Sequence, residues 1–152
     1  MSSRVTSQLP DHVLNVLKEG CPALLLTTGL DGFPNTAYTW VVAPDAMTVR
    51  FGADHGSTTL ANLEREPRAS LQIIGPENLV FLIKGATSRI KLQIEAAPFK
   101  IAMMTLSVTE VKDQSWPGVR VQPLAYEWSA DQSERMLAVE RAVYSEMRRW
   151  SG

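Results

Sequence analysis

With 152 residues, 45% hydrophobic and 20% charged, the chain has the length and composition of one soluble globular domain with a sizeable core, and residues 1–152 are read as that single domain. Fifteen Lys and Arg balance sixteen Asp and Glu, so the basic face of a nucleic-acid binder is not expected, and the Met-Arg-Arg-Trp run at 147–150 is too short to supply one. One cysteine excludes an intramolecular disulfide and points to a reducing compartment.

The polar start, Met-Ser-Ser-Arg-Val-Thr-Ser-Gln, lacks the apolar core of a signal peptide, and no apolar run is long enough to span a bilayer. A cytoplasmic protein with no membrane partner is therefore expected. Residues 10–19 carry Val13, Leu14 and Leu17 at helical spacing, with Pro10 at the start and Gly20 just past the end. Cys21 precedes Pro22 and an apolar run, which reads as a partly buried structural thiol. Residues 23–28 have strand length, and Asp31-Gly32 has the composition of a tight hairpin. The returning strand spans 35–43, rich in Thr, Tyr, Trp and Val, and Pro44-Asp45-Ala46 turns it into a third strand over 47–53. Such short connections predict an antiparallel meander.

The segment 52–67 leaves that strand, crosses a polar loop, opens a helix at Ser57 and stops it before Pro67. A helix start offers unpaired N–H groups and the positive end of the helix dipole, which together favour an anion such as phosphate. Ser57, Thr58 and Thr59 add three hydroxyls there. Taken alone, the segment reads first as an ordinary N-cap formed by Ser57. Strands are then expected over 68–74 and, after a turn at 75–78, from 79 to about 95. In its second half Ser88, Ile90, Leu92 and Ile94 alternate with polar residues, and Gly85 marks a bulge or bend. A strand over 103–112 precedes the Trp116-Pro-Gly118 loop, and Leu124, Tyr126 and Trp128 alternate in a last strand over 119–128. Ser129 and Gln132 form a capping box. The final helix lines up Met136, Val139, Val143, Met147 and Trp150, with Arg135, Glu146 and Arg148 facing away. The stripe is expected to pack on its own domain. The sum is a mainly β fold: a six- to seven-stranded antiparallel barrel with one short inserted helix and helices at both ends.

Several of these residues also carry a resemblance. The succession of a helix, Leu-Leu-Leu-Thr-Thr at 24–28, Asp-Gly-Phe-Pro at 31–34, two strands and Gly-Ser-Thr-Thr-Leu-Ala-Asn-Leu-Glu-Arg-Glu-Pro-Arg-Ala-Ser-Leu at 56–71 resembles the pyridoxamine 5'-phosphate oxidase-like, FMN-binding split-barrel family. Lys84-Gly85-Ala86 is similar to a Gly-containing step in that family's following strand. The likeness covers roughly residues 10–91, and residues 116–128 are compatible with it.

The resemblance implies a homodimeric split barrel with FMN in a groove between subunits, acting as an oxidoreductase on a small-molecule substrate. It places the FMN phosphate at the helix start, which makes a phosphate site the better reading of Ser57, Thr58 and Thr59. Many members have Ser-Arg-Lys there, so two cations are replaced by threonines, and a charge-assisted hydrogen bond is about twice as strong as a neutral one. Arg50 is the nearest compensating cation in sequence, its alternative being a solvated strand residue. Thr36, Tyr38, Thr39 and Trp40 occupy the stretch that borders the flavin ring in the family, or else are core or dimer-interface residues. The substrate-binding His and Arg of a true pyridoxamine phosphate oxidase have no clear counterparts, so vitamin B6 phosphate is not the expected substrate, and no catalytic residue is assigned. The alternatives are a non-catalytic binding or sensing module with weak FMN affinity, or use of deazaflavin F420 or haem on the same fold. His12 and His55 are the only histidines; with Cys21 they form no metal-ligand spacing. His55 beside the helix start is a minor ligand-contact candidate, and Asp54, His55 and Ser57 read as a chance cluster rather than a triad.

Overall fold

The computed structural model describes residues 4–151. Residues 1–3 of the polar N-terminal stretch lie outside the described residues. The elements in chain order are β1 (Arg4–Thr6), α1 (Asp11–Glu19), β2 (Cys21–Thr28), β3 (Pro34–Asp45), β4 (Thr48–Asp54), α2 (Thr58–Arg65), β5 (Arg68–Gly75), β6 (Leu79–Lys91), β7 (Ile101–Asp113) and α3 (Ser133–Arg149).

The sheet order β1-β7-β4-β3-β2-β5-β6, with β6 also pairing β7, closes six strands into an antiparallel barrel. The short β1, not foreseen in the sequence, adds to β7 at Val111–Asp113. Inside, Leu25, Val41, Phe51, Leu71, Ile73, Ile83 and Leu106 are fully buried, and Leu9, Val13 and Leu17 of the α1 region join the same cluster. The hairpin between β2 and β3 turns as expected: Gly32 takes a φ of 84°, Gly29 N–H donates to Phe33 O at 2.8 Å, and Asp31 Oδ1 accepts from Phe33 N–H. Gly85 sits where the register of β6 against β7 slips, Lys84 facing Glu110 while Gly85 faces Val108. The extra residue, Thr109, donates its hydroxyl to Lys84 O at 3.0 Å, a bulge that tightens the turn of the barrel wall.

A second cluster lies on the outer face, where Val143 and Met147 of the α3 stripe, with Val139 and Trp150 beside them, meet Val42, Ile94, Ile101 and Met103. The stripe therefore packs on its own domain, as expected. Glu146 does not face away, however. Its carboxylate accepts from Lys91 Nζ (2.8 Å) and from the N–H groups of Glu95 (2.9 Å) and Ala96 (2.8 Å), anchoring the loop that follows β6.

Three expectations fail in the C-terminal part. β6 ends at Lys91 rather than near Glu95: Leu92 is exposed and Ile94 is buried under α3, so alternation continues only in composition. Residues 119–128 form no strand. They run as an extended strap whose backbone is held by isolated bonds, Val121 N–H to Asn78 Oδ1 and Leu124 N–H to Ile74 O. The Ser129–Gln132 capping box is absent as well. Gln132 is itself the N-cap residue, helical in its backbone and without a side-chain cap bond, and α3 starts at Ser133.

Cys21 is half-buried against the barrel core, and burial pushes its thiol up to about 12. At pH 8 its alkylation should be at least about a hundredfold slower in the folded protein than in urea, since only the thiolate reacts. Equal rates, followed by mass spectrometry, would show the thiol to be accessible.

Candidate functional site

The barrel is not sealed evenly. β3 pairs through residues 34–41 with the whole of β2, but its ladder with β4 covers only residues 41–45 against 48–51. Beyond Phe51, β4 stays on β7 as far as Asp54 opposite Ile101, so β3 and β4 diverge. The buried Thr39 hydroxyl stands in the gap, donating to Gly52 O at 2.7 Å and accepting from Gly52 N–H at 3.2 Å in place of ladder bonds. A cavity of about 340 Å³ opens beside this divergence, at the small end of the range for ligand sites.

Ala37, Tyr38, Thr39 and Trp40 of β3 form one wall, Gly52, Ala53 and Asp54 of β4 a second, and Ser57 and Thr59 of α2 lie at one end. Pro22 and Leu25 of β2, Phe99 and Ile101, with Tyr126 and Trp128 from the strap, complete the lining. The aromatic rings are mutually packed: Trp40 lies 6.2 Å from Phe99 and 6.4 Å from Trp128, and Tyr126 stands edge-on to Trp128 at 5.5 Å. Trp40 Nε1 donates to the Tyr126 hydroxyl at 2.5 Å, which in turn donates to Glu140 Oε1, and Trp128 Nε1 donates to the same oxygen at 2.5 Å. Burial, followed by the Glu140 hydrogen bond, pushes the Tyr126 phenol well above its ordinary range, so it stays protonated.

The helix start is built as a cap. Ser57 Oγ accepts Leu60 N–H at 3.1 Å and donates to Asp54 O at 2.6 Å, so both of its roles are used. Thr59 is buried, and its hydroxyl accepts from Asn35 Nδ2 at 3.5 Å. Thr58 turns to a separate shallow depression under the β2–β3 hairpin. The helix is pinned to β2 by Asn62, which donates to the Thr27 hydroxyl at 3.1 Å, and by Arg65, which donates to Thr28 O at 2.6 Å.

The sequence-predicted residues thus divide. Tyr38, Thr39, Trp40, Ser57 and Thr59 come together at the cavity, whereas Thr36 and Thr58 do not line it. Arg50 is neither solvated nor at the helix start. Its Nη1 donates to Met147 O at 2.7 Å and Trp150 O at 2.5 Å, closing the C-terminal end of α3. Arg50 lies four residues before Asp54, about 13 Å along an extended strand. His55 is also engaged elsewhere, its Nε2–H donating to Leu92 O at 2.6 Å, and His12 packs on Phe81. Phe99, Ile101, Tyr126, Trp128 and Glu140 were missed as site residues. The Tyr126/Trp128 alternation was visible but read as a strand face.

No protein-family model matches the sequence, and no curated protein matches it. Solved structures do. An F420 reductase superposes with a TM-score of 0.59 at 16% identity, over 68% of this chain and 98% of its own. A candidate pyridoxamine 5'-phosphate oxidase from Lactobacillus delbrueckii gives 0.59 at 17%, over 73% and 98%. HupZ of Group A Streptococcus gives 0.57 at 15%, over 75% and 99%. This chain has the split-barrel fold of the pyridoxamine 5'-phosphate oxidase-like proteins. Near-complete coverage of those structures means that this split barrel contains their whole architecture plus further residues of its own.

The sequence resemblance implies FMN, but the residues of this split barrel offer its phosphate no cation. No Lys or Arg lines the cavity, Asp54 stands exposed at its rim, and the Ser57 hydroxyl is committed to Asp54 O and Leu60 N–H, whereas the Thr59 hydroxyl accepts from Asn35 and keeps its own O–H to donate. A phosphate would be left with the Thr59 O–H and the first-turn backbone N–H groups of Thr58 and Thr59, all uncharged donors. Among the described residues there is no cluster of three or more His, Cys, Asp or Glu for a metal, and no helix is long and apolar enough to cross a membrane.

Proposed function

We propose that this split barrel is a binding module for a planar, ring-shaped small molecule, gripped through its ring rather than through a phosphate. The observation that carries the reading is the lining itself: Tyr38, Trp40, Phe99, Tyr126 and Trp128 surround a cavity that no cation enters. Aromatic pairs of this kind contribute about 0.5–1.5 kcal/mol each beyond area burial, enough to hold a ring without a charged anchor. Thr39, Tyr38 and Trp40 border the ligand in this reading, while no lining residue is placed as nucleophile or general base. The exposure of Tyr38 (68%) and Phe99 (39%) beside the cavity supports a homodimer in which a second copy covers them, which light scattering would detect.

The test is equilibrium binding of riboflavin and FMN, read by flavin fluorescence alongside the absorption spectrum of the purified protein. Riboflavin is expected to bind at least as tightly as FMN. An FMN preference of tenfold or more would instead favour an FMN-dependent oxidoreductase with the phosphate on the Thr58 and Thr59 amides, the second reading. Failure of both flavins and of a cationic ring dye to bind would remove the ring site.

A further inference from the structure

If the cavity holds a ring ligand, as proposed above, its charge pattern narrows which ring. Asp54 is its only ionisable lining residue apart from the two phenols; it is exposed at the rim, and among the described residues its carboxylate is tied up in no hydrogen bond or ion pair. Glu140 stands directly behind the strap aromatics, taking both the Tyr126 O–H and the Trp128 N–H. Donation to a carboxylate enriches each ring in electron density, and electron-rich indole and phenol faces attract cations.

Three cations near the cavity are committed elsewhere, while Lys100, exposed between the lining residues Phe99 and Ile101, has no ion pair among the described residues. Arg50 closes α3, Arg65 is bonded to Thr28 O and Asn62 Oδ1, and Lys91 is paired with Glu146 beneath Trp150. The opposing influences are Lys100 and the N-terminal end of α2, the latter equivalent to about half a positive charge. Two carboxylate charges, Asp54 at the exposed rim and Glu140 immediately behind the aromatics, still exceed those two together.

We infer that the site selects a planar cation, an aromatic amine or N-alkylated heterocycle charged at neutral pH, with its ring among Trp40, Tyr126 and Trp128 and its charge answered by Asp54. An anionic ring meets repulsion at the same place.

Three ring probes of different charge separate the possibilities: proflavine (cationic), riboflavin (neutral) and FMN (anionic), titrated at one physiological ionic strength. Proflavine is expected to bind about tenfold or more tighter than riboflavin. In Asp54→Asn that ratio should fall below about threefold, and because it is a ratio within one protein, any general loss of affinity cancels. Proflavine binding no tighter than riboflavin, or a ratio unchanged in Asp54→Asn, would overturn the charge selection while leaving the ring site intact. Binding of none of the three would overturn the ring site and the inference together.

Discussion

Replacing Gly85 by alanine should destabilise the barrel by about 3 kcal/mol, in the upper range of overpacking effects. A Cβ there would stand 2.0 Å from Ser107 O and 2.7 Å from a Leu106 methyl. The first neighbour is the main chain of the paired strand, which cannot rotate aside as a side chain would. The adjoining bulge at Thr109 prevents a simple slide of register, because its hydroxyl is tied to Lys84 O. Relief requires β6 and β7 to separate at the seam that closes the barrel. For a domain of this length the expected fall in Tm is about 10 °C, read by circular dichroism with urea midpoints alongside. A loss below 1 kcal/mol would mean that β7 yields at Ser107.

Glu146→Ala is expected to cost about 2–3 kcal/mol, with a pH dependence that identifies its source. The carboxylate is mostly buried, as is its partner Lys91 (17% and 15% exposed), and it accepts two backbone N–H groups besides the ion pair. Truncation leaves Lys91 and those donors without their acceptor. Burial acts to raise the Glu146 pKa, but the Lys91 bond and the Ala96 and Glu95 N–H groups prevail and hold it below the usual carboxylate range. A depressed folded-state pKa stabilises above the unfolded value of about 4.3 and loses that contribution as pH falls through the lower folded value. The stability gap between wild type and variant should therefore be constant near neutrality and shrink below about pH 4.3. A gap that persists at low pH would assign the loss to packing of the methylene stem. The same contacts seat the loop bearing Phe99, so ring-probe affinity should fall in parallel.

Local chemistry was the legible part of this chain. The Asp31-Gly32 hairpin, the α1 stop at Gly20, the Ser57 cap and the α3 stripe depend on residues a few positions apart, and each stands where its residue types require. The failures share a different cause. Alternation reports that one side of a segment is covered, but not by what. Tyr126 and Trp128 alternate because Glu140 and the cavity take one side of the strap, with no neighbouring strand involved. Arg50 was attached to the helix start by proximity in sequence, although α3, 97 residues later, collects it. The cavity itself arises from a divergence of two strands, and only the long-range pairing of β4 with β7 reveals it.

The extended strap has a consequence for how such a protein can change. The barrel closes through β7, which ends at Asp113, so the walls of the cavity belong to one continuous stretch of chain and its aromatic covering to another. The covering stretch contributes no rung to the sheet. Substitutions at Tyr126, Trp128 or Glu140 can therefore alter what the cavity accepts without touching strand register. Ligand choice and barrel integrity are separately adjustable, and variants with a new specificity and an old melting temperature should be common in this part of the chain.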